Sequence, residues 1–558
     1  MKMKINQNLN ITKIMGNSTA SLTRRIRTIP LSIRFSVVTV SALMIYLITL
    51  SRNWTSASLE FTVEIMSNDW NVILQRHKLL IHAMAWVFYQ IWRLLGWTGK
   101  ALLPNQVFNA IGGALVVGLV YLIARSLTKS EPISLLAAVG MGFSFASWIY
   151  ATESEFASVP CAESLLVLWL LLELKPGVAP RLRRLIGLGF FSAFGFLTFF
   201  SNAFVIPVVV AGLLLAKGQN IKARILQVIA YGATFAVVVI PVYASWLFFF
   251  NHIHTLDQLR NWQLYGGQGT GTVYGTFEWM SLIYGPYAVL RSLFSYPGLL
   301  LTYRTTDFLA GASLLQKAAF GFYYLILGCL VISPVFLAIQ NRVVLLKKFR
   351  REIVCLFIWF VFFGGFAFWW VVRDLKFWYP AMASWWLLVA ILISLFQNKE
   401  ISLRPFEKFP YLPAFSLVVL IMFLVNGFGY IFPHTDISMN TNYQVANSIV
   451  NRTNPKDLII TIDESFYVLY FSDRPTVFIL DNYLRNSNNK TVTFQELDSL
   501  IADTIQSGQH VYYIGLSPND EGFISDLAKI GLTPQDFSRW KTSPAWSVDN
   551  VDFLEIIQ

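Results

Sequence analysis

The chain has 558 residues, of which 55% are hydrophobic and only 13% charged, with a formal net charge of +12. A soluble domain carries about 25% charged residues to cover its surface, so lipid must cover what polar side chains here cannot, which excludes a purely water-soluble protein. The positive charge falls in short clusters between apolar runs, the pattern that orients membrane proteins, and this argues against a nucleic-acid partner.

The elements follow in chain order. Residues 1–34 are polar and basic, with Lys2, Lys4, Lys13, Arg24, Arg25, Arg27 and Arg34, and read as a cytoplasmic N-terminal segment. The apolar run Phe35 to Ser51 has no small-residue cleavage site after it, so it reads as an uncleaved first span. Further runs of spanning length lie near 104–124, 132–151, 156–172, 185–201, 203–216, 225–250, 318–340, 353–372, 377–396 and 411–432. The expected fold is therefore a polytopic α-helical membrane protein of about eleven spans over 35–433. Basic clusters flank both ends of 185–216, Arg181, Arg183 and Arg184 on one side and Lys217, Lys222 and Arg224 on the other, which favours a bent hairpin near Asn202. Loops 52–103 and 251–317 fall on the outer face. The stretch His77 to Trp97 is apolar but interrupted by Lys78, His82, Gln90 and Arg93, and reads as an amphipathic interfacial helix. Loop 251–317 is expected to hold one or two more, and its Gly-rich stretch near 266–272 reads as a flexible outer loop. Residues 434–558 alternate strand and helix patterns and predict a small soluble α/β domain on the outer face. Its helix over 493–507 opens at Thr493 with Glu496 three residues on, a capping-box pattern. The three cysteines, Cys161, Cys329 and Cys355, lie in or beside apolar runs without metal-ligand spacing.

Ionisable groups at the edge of a membrane domain are functional candidates by default. Three groups qualify, all on the expected outer face. The first is Glu60, Glu64 and Asp69 with Arg76, His77 and Lys78; Glu60 and Glu64 are four apart and share a helix face. Such carboxylates could deprotonate a hydroxyl or bind a divalent cation, or be the ordinary charges of a solvated loop. The second is Glu153 and Glu155 at a tight turn between spans, with Glu163 deeper. Both carboxylates could point into one cavity or simply make a polar turn. The third is Arg373, Asp374 and Lys376 beside Trp369, Trp370 and Trp378, able either to clamp a lipid phosphate or to anchor an interface. The sequence contains no phosphate-cradling Gly loop, HExxH or nucleophile elbow, which argues against a nucleotide-driven pump.

These segments occur in a familiar order. A carboxylate follows the first span; then come Arg76 to Trp97 with a His-x-Leu-Leu element, the run from Asn105 to Ser130, and a span ending in Trp148 to Ser158 with Glu153 and Glu155. The order resembles the polyprenyl-phosphate-sugar-dependent glycosyltransferases of GT-C type, the group of protein O-mannosyltransferases and aminoarabinose transferases. The likeness is good over residues 30–200 and looser later, through Asp374 to Leu388. It implies a transferase that moves a sugar from a polyprenyl-phosphate donor to a lipid, glycan or protein acceptor, with inversion. It also implies Glu60 as general base or metal ligand, with Asp69 as the alternative, and a divalent cation as a cofactor option with no ligand set specified. Glu64, His77, Lys78, Glu153, Glu155, Arg373 and Lys376 would line the substrate cavity. The chain departs from the group in having Glu60 followed by Phe61, where an Asp and often a second acid stand, and Lys78 and Leu79 where many members have two prolines. A lipid transporter or flippase, a polysaccharide polymerase or ligase, and a non-catalytic assembly factor are the competing readings.

Overall fold

The computed structural model describes residues 29–75, 77–174, 180–216, 218, 220–249, 252–255, 257–258, 279–296, 311–401, 411–462, 465–486, 489–514, 524, 527–528, 531–548 and 551–557. Most of the basic N-terminal segment, Arg76, the Gly-rich stretch near 266–272 and most of the helix expected over 522–531 lie outside these residues.

The membrane part runs α1 (Leu31–Ile48), α2 (Ser56–Met66), α3 (Ile81–Leu94), α4 (Leu102–Thr128), α5 (Glu131–Phe143), α6 (Phe145–Thr152), α7 (Ser158–Leu172), α8 (Leu182–Thr198), α9 (Val205–Leu214) and α10 (Ile221–Phe249). It continues with α11 (Ser281–Leu293), α12 (Leu314–Gln340), α13 (Arg342–Trp370), α14 (Leu375–Gln397) and α15 (Tyr411–Asn426). Among the described residues, seven helices are long and apolar enough to cross a bilayer, or eight if α5 and α6, bent by 62°, form one span. The expected count of eleven is not confirmed. Three of the apolar runs form helices of only 15, 17 and 10 residues, namely α7, α8 and α9, and a span needs about 20. The run over 185–216 does break near Asn202, where Phe199 turns extended and a 3-10 turn, Phe200–Phe204, follows. Helix α3 has 14 residues, a rise of about 21 Å, short of a roughly 30 Å hydrocarbon core.

Helix α14 is the axis of the bundle, with 94% of its apolar window buried, whereas the windows of α1 and α10 are 11% buried and face outward. Polar atoms inside such a core must be satisfied internally. The Trp386 indole N–H donates to Ser144 Oγ at 2.9 Å, and Ser144 Oγ donates to Gly140 O at 2.8 Å, which fixes the α5–α6 bend. Gly112 and Gly113 let α4 approach the next turn closely: a Cβ on Gly112 would stand 2.7 Å from Val159, and one on Gly113 would stand 2.5 Å from Ala151.

The tail holds α16 (Thr441–Arg452), β1 (Leu458–Thr461), α17 (Phe466–Phe471), β2 (Thr476–Phe478), α18 (Ile479–Arg485), α19 (Lys490–Gln506), β3 (Val511–Ile514), β4 (Thr542–Val548) and β5 (Val551–Ile556). The sheet order is β2-β1-β3-β5-β4; β1 is parallel to β2 and β3, and β5 is antiparallel to β3 and β4. Side chains alternate across it. Leu458, Ile460, Val511 and Tyr513 pack on Phe494, Leu497 and Ile501 of α19. Ile459, Tyr512 and Phe553 pack on Ile449 of α16 and Val468 of α17. Helix α19 starts earlier than its capping-box pattern predicts. Asn489 is the cap, accepting from Val492 N at 3.2 Å, and Glu496 instead accepts from Asn486 Nδ2 at 2.8 Å. Helix α17 docks on the first loop: Trp54 and Leu59 cluster with Tyr467 and Tyr470, and the Tyr467 hydroxyl donates to Trp54 O. The tail and the first loop therefore share one face.

At the opposite end of α1, the buried Glu131 carboxylate takes an ion pair from Arg34, another from Arg125 at 3.2 Å, and the Tyr121 hydroxyl at 2.5 Å. Removing one member strands the other charges away from water. Glu131→Ala should destabilise the protein by about 3 kcal/mol or more, read as a lowered thermal midpoint in detergent. An unchanged midpoint would show the triad to be incidental.

Candidate functional site

Three segments far apart in sequence meet where the first loop faces the α6–α7 turn. Thr55 caps α2 by accepting from Ser58 N at 3.0 Å. Ser58 in turn donates to Glu153 Oε2 at 3.0 Å, and Ser154 Oγ donates back to Ser58 O at 2.7 Å. From α4, Asn109 Nδ2 holds the Glu153 carbonyl at 3.1 Å, and Gln106 Nε2 bridges Ser51 O and Thr152 O, each at 2.8 Å. Burial pushes the Glu153 carboxyl up to about 8, against the pull of hydrogen bonds from Ser51 and Ser58, so at neutral pH it is the protonated member of the pair.

Glu155 is the charged member. The Lys376 ammonium sits 2.7 Å from Glu155 Oε1 and 2.9 Å from Asp374 Oδ2. Asp374 also accepts from the Tyr150 hydroxyl at 3.1 Å and caps α14 through Lys376 N at 3.1 Å. Burial raises the Glu155 carboxyl, and the Lys376 charge pulls it back. Lys376 is thus bound by two carboxylates, while Arg373 next to it is exposed and lies over the Tyr284 ring at 3.8 Å.

Facing this pair is the segment before α3. Phe200 N donates to His77 O at 3.0 Å and Leu80 N to Leu197 O at 2.9 Å, so the segment is pinned to the end of α8. The His77 ring packs on Phe200 and Trp370. Lys78 lies over the Phe61 ring with its Nζ 3.7 Å from the centroid, within electrostatic reach of Glu64, Glu60, Lys376 and Glu155. It makes no ion pair within 4.0 Å among the described residues. Burial lowers the Lys78 ammonium to about 8, with Glu64 and Glu60 pulling it back up. Glu60 is half-buried and likewise has no hydrogen-bond or ion-pair partner among the described residues. Glu64, one helical turn on, accepts from Gln75 Nε2 at 2.6 Å and lies 3.4 Å from His82 Nδ1. The His82 ring is fully buried, and burial together with Lys78 lowers its basicity, keeping it neutral.

The structure thus brings Glu60, Glu64, Lys78, Glu155 and Lys376 into one constellation, with Glu153 behind it. Asp69 stands apart: it is exposed and caps the single turn Trp70–Ile73 by accepting from Asn71 N at 2.9 Å. Glu163 also stands apart, accepting from Thr198 Oγ1 at 3.0 Å beside Asn202 at the α8 break. Sequence reasoning missed Ser58, Gln106, Asn109 and Tyr150. Asn105, Gln106 and Asn109 did carry a signal, as amides one turn apart inside an apolar span.

The chain has the fold of the GT-C membrane glycosyltransferases. The structure of ArnT from Cupriavidus metallidurans bound to undecaprenyl phosphate matches it over 94% of this chain and 98% of its own, with a TM-score of 0.56 at 13% identity. An Archaeoglobus fulgidus oligosaccharyltransferase tethered to an acceptor peptide matches over 94% of this chain and 74% of its own, with a TM-score of 0.45 at 11% identity. The mycobacterial arabinofuranosyltransferase AftD matches over 94% and 40%, with a TM-score of 0.42 at 10% identity. At those scores the last two add no argument. No protein-family model matches the chain, and no curated protein matches it.

The Lys78 environment is directly measurable. Labelling of Lys78 by an amine-reactive reagent should rise with a midpoint near pH 8. A midpoint near the ordinary lysine value of about 10.4 would contradict the burial described.

Proposed function

We propose that this protein transfers a sugar from a polyprenyl-phosphate-linked donor to an acceptor hydroxyl on the extracytoplasmic side of a cell membrane, with inversion at the anomeric carbon. The observation that carries the reading is the half-buried Glu60 carboxylate within electrostatic reach of the Lys78 ammonium, neither with an ion-pair partner among the described residues, in a fold shared with ArnT. One group can accept a proton and the other can hold a phosphate.

In the proposed reaction the donor enters sideways from the outer leaflet. Lys78 pairs with its phosphate, and Arg373 adds positive potential nearby, while Lys376 is held by Glu155 and Asp374. The acceptor hydroxyl oxygen attacks the anomeric carbon opposite the phosphate. The bond from that carbon to the phosphate oxygen breaks, and polyprenyl phosphate leaves with the electron pair, its charge held by Lys78. The hydroxyl proton passes to Glu60. Glu155, held by Lys376, and protonated Glu153 form the wall behind the reacting atoms, and Glu64 fixes Gln75 at the start of the segment that carries Lys78. His77 braces that segment against Trp370. The N-terminus would be cytoplasmic, and the tail, on the same face as the site, extracytoplasmic. Among the described residues no three His, Cys, Asp or Glu side chains converge as metal ligands, and no step is routed through a divalent cation.

Glu60→Gln, nearly isosteric, should cut release of label from a radiolabelled polyprenyl-phosphate sugar by about 100-fold or more without moving the thermal midpoint. Full activity in that variant would remove Glu60 from the chemistry. Asp69→Asn should leave transfer within about twofold.

Lys78 predicts the pH profile. It is charged below about 8, so donor binding holds there, and kcat/KM falls as pH rises through that value. Lys78→Met should raise the donor KM by about tenfold or more. Lys78→Arg stays charged across the range and should abolish the alkaline fall. Persistence of that fall in the Arg variant would assign it to another group.

A further inference from the structure

A polar cavity, lined in part by Gln106, lies apart from the Glu60–Lys78 constellation, neither residue of which lines it. It has a volume of about 610 Å³ and sits where the end of α1, the start of α4 and helix α17 meet. Its floor is apolar, from Leu47 and Ile48, and its upper wall carries Arg52, Trp54, Lys100 and Tyr470. Trp54 is only 8% exposed, yet its indole Nε1 has no hydrogen-bond partner among the described residues. A buried N–H left without an acceptor is costly, so a ligand that supplies an acceptor is favoured there. Arg52 forms no ion pair within 4.0 Å among the described residues. Asp436 feels its charge, but its carboxylate accepts from Ser438 N at 2.9 Å. Lys100 is tied to Asp473 at 2.7 Å and to Tyr470 O, which places its ammonium at the cavity rim.

The cavity does not end at its polar wall. Ile48 also lines an apolar groove of about 780 Å³ between α1, α5 and α15, with Ile45, Leu136 and Phe423 along it. A chamber with N–H donors and a cation thus adjoins an acyl-lined groove at one residue, on a helix whose apolar window is 11% buried and faces the bilayer. That gradient fits an anionic amphiphile.

We propose that this cavity and groove bind a bilayer phospholipid, its phosphate accepting from Trp54 Nε1 and Arg52 and one acyl chain lying over Ile48 into the groove. The site is separate from the Lys78 donor site. It would wedge a lipid between the membrane helices and the tail helix that grips Trp54.

The test uses the full-length protein, delipidated in detergent and examined by native mass spectrometry with palmitoyl-oleoyl phosphatidylglycerol, the matching diacylglycerol or inorganic phosphate. The wild-type protein should retain one phosphatidylglycerol under conditions that strip diacylglycerol. Arg52→Ala should weaken that retention about tenfold. Trp54→Phe, which keeps one aromatic ring but removes the indole N–H together with the five-membered ring, should weaken it severalfold. Lys78→Gln should retain the lipid as the wild type does, so loss of the donor site and loss of this one are distinguishable. Equal retention in the Arg52 and Trp54 variants, equal retention of diacylglycerol, or displacement by inorganic phosphate alone would each overturn the proposal.

Discussion

The contact between Glu155 and Lys376, with Asp374 on the other side of the ammonium, organises the site. All three groups lie where water is scarce, and a charge there is tolerated only with a partner. Such pairs contribute little net stability, but they fix which segments meet. Here the pairing joins the α6–α7 turn to the start of α14, 221 residues later. It also uses up its own charges. Glu155 and Asp374 both pair with Lys376, leaving Lys78 and Glu60 as the members of the constellation without an ion-pair partner among the described residues. The structural charges and the reactive ones are thereby separated.

The same logic extends outward from α2. Leu59, the neighbour of Glu60, is fully buried in the cluster made with Trp54, Tyr467 and Tyr470. The position of the proposed base is therefore set from both sides, by Ser58 against Glu153 beneath and by the tail helix above. Asn440 adds to this by donating to Arg52 O at 2.9 Å and to the Tyr467 hydroxyl at 3.1 Å. The tail braces the first loop, which on the proposed reading carries the base.

Much of this was legible in the sequence, and the misses have physical causes. The interruption of His77 to Trp97 by charged and amide residues marks α3 off from the other apolar runs, and its 14 residues are short for a span of about 20. The alternation of the tail gives its sheet, but β2 and β4 are too short or too polar on both faces to announce themselves. The count of eleven spans is not confirmed, because helices break inside apolar runs. Ser144 looks unremarkable locally, and only the Trp386 indole makes that break stable; the break near Asn202 is signalled by the basic clusters at both ends of its run, and the Asn202 amide holds it. Glu60 and Glu64 share a helix face, as their spacing requires. That Glu60 has no partner among the described residues while Glu64 is held by Gln75 is a tertiary fact with no local signal. Asp69 reads as an acid in a loop, and only the backbone shows it to be a cap.

The account rests on the donor phosphate meeting Lys78 beside Glu60. The most direct measurement is a cryo-EM map of the protein in nanodiscs with polyprenyl phosphate bound. The account predicts density for the phosphate within hydrogen-bonding distance of Lys78 Nζ, on the Glu60 side of the Glu155–Lys376 pair. A phosphate seated elsewhere, with Lys78 still resting on Phe61, would contradict it.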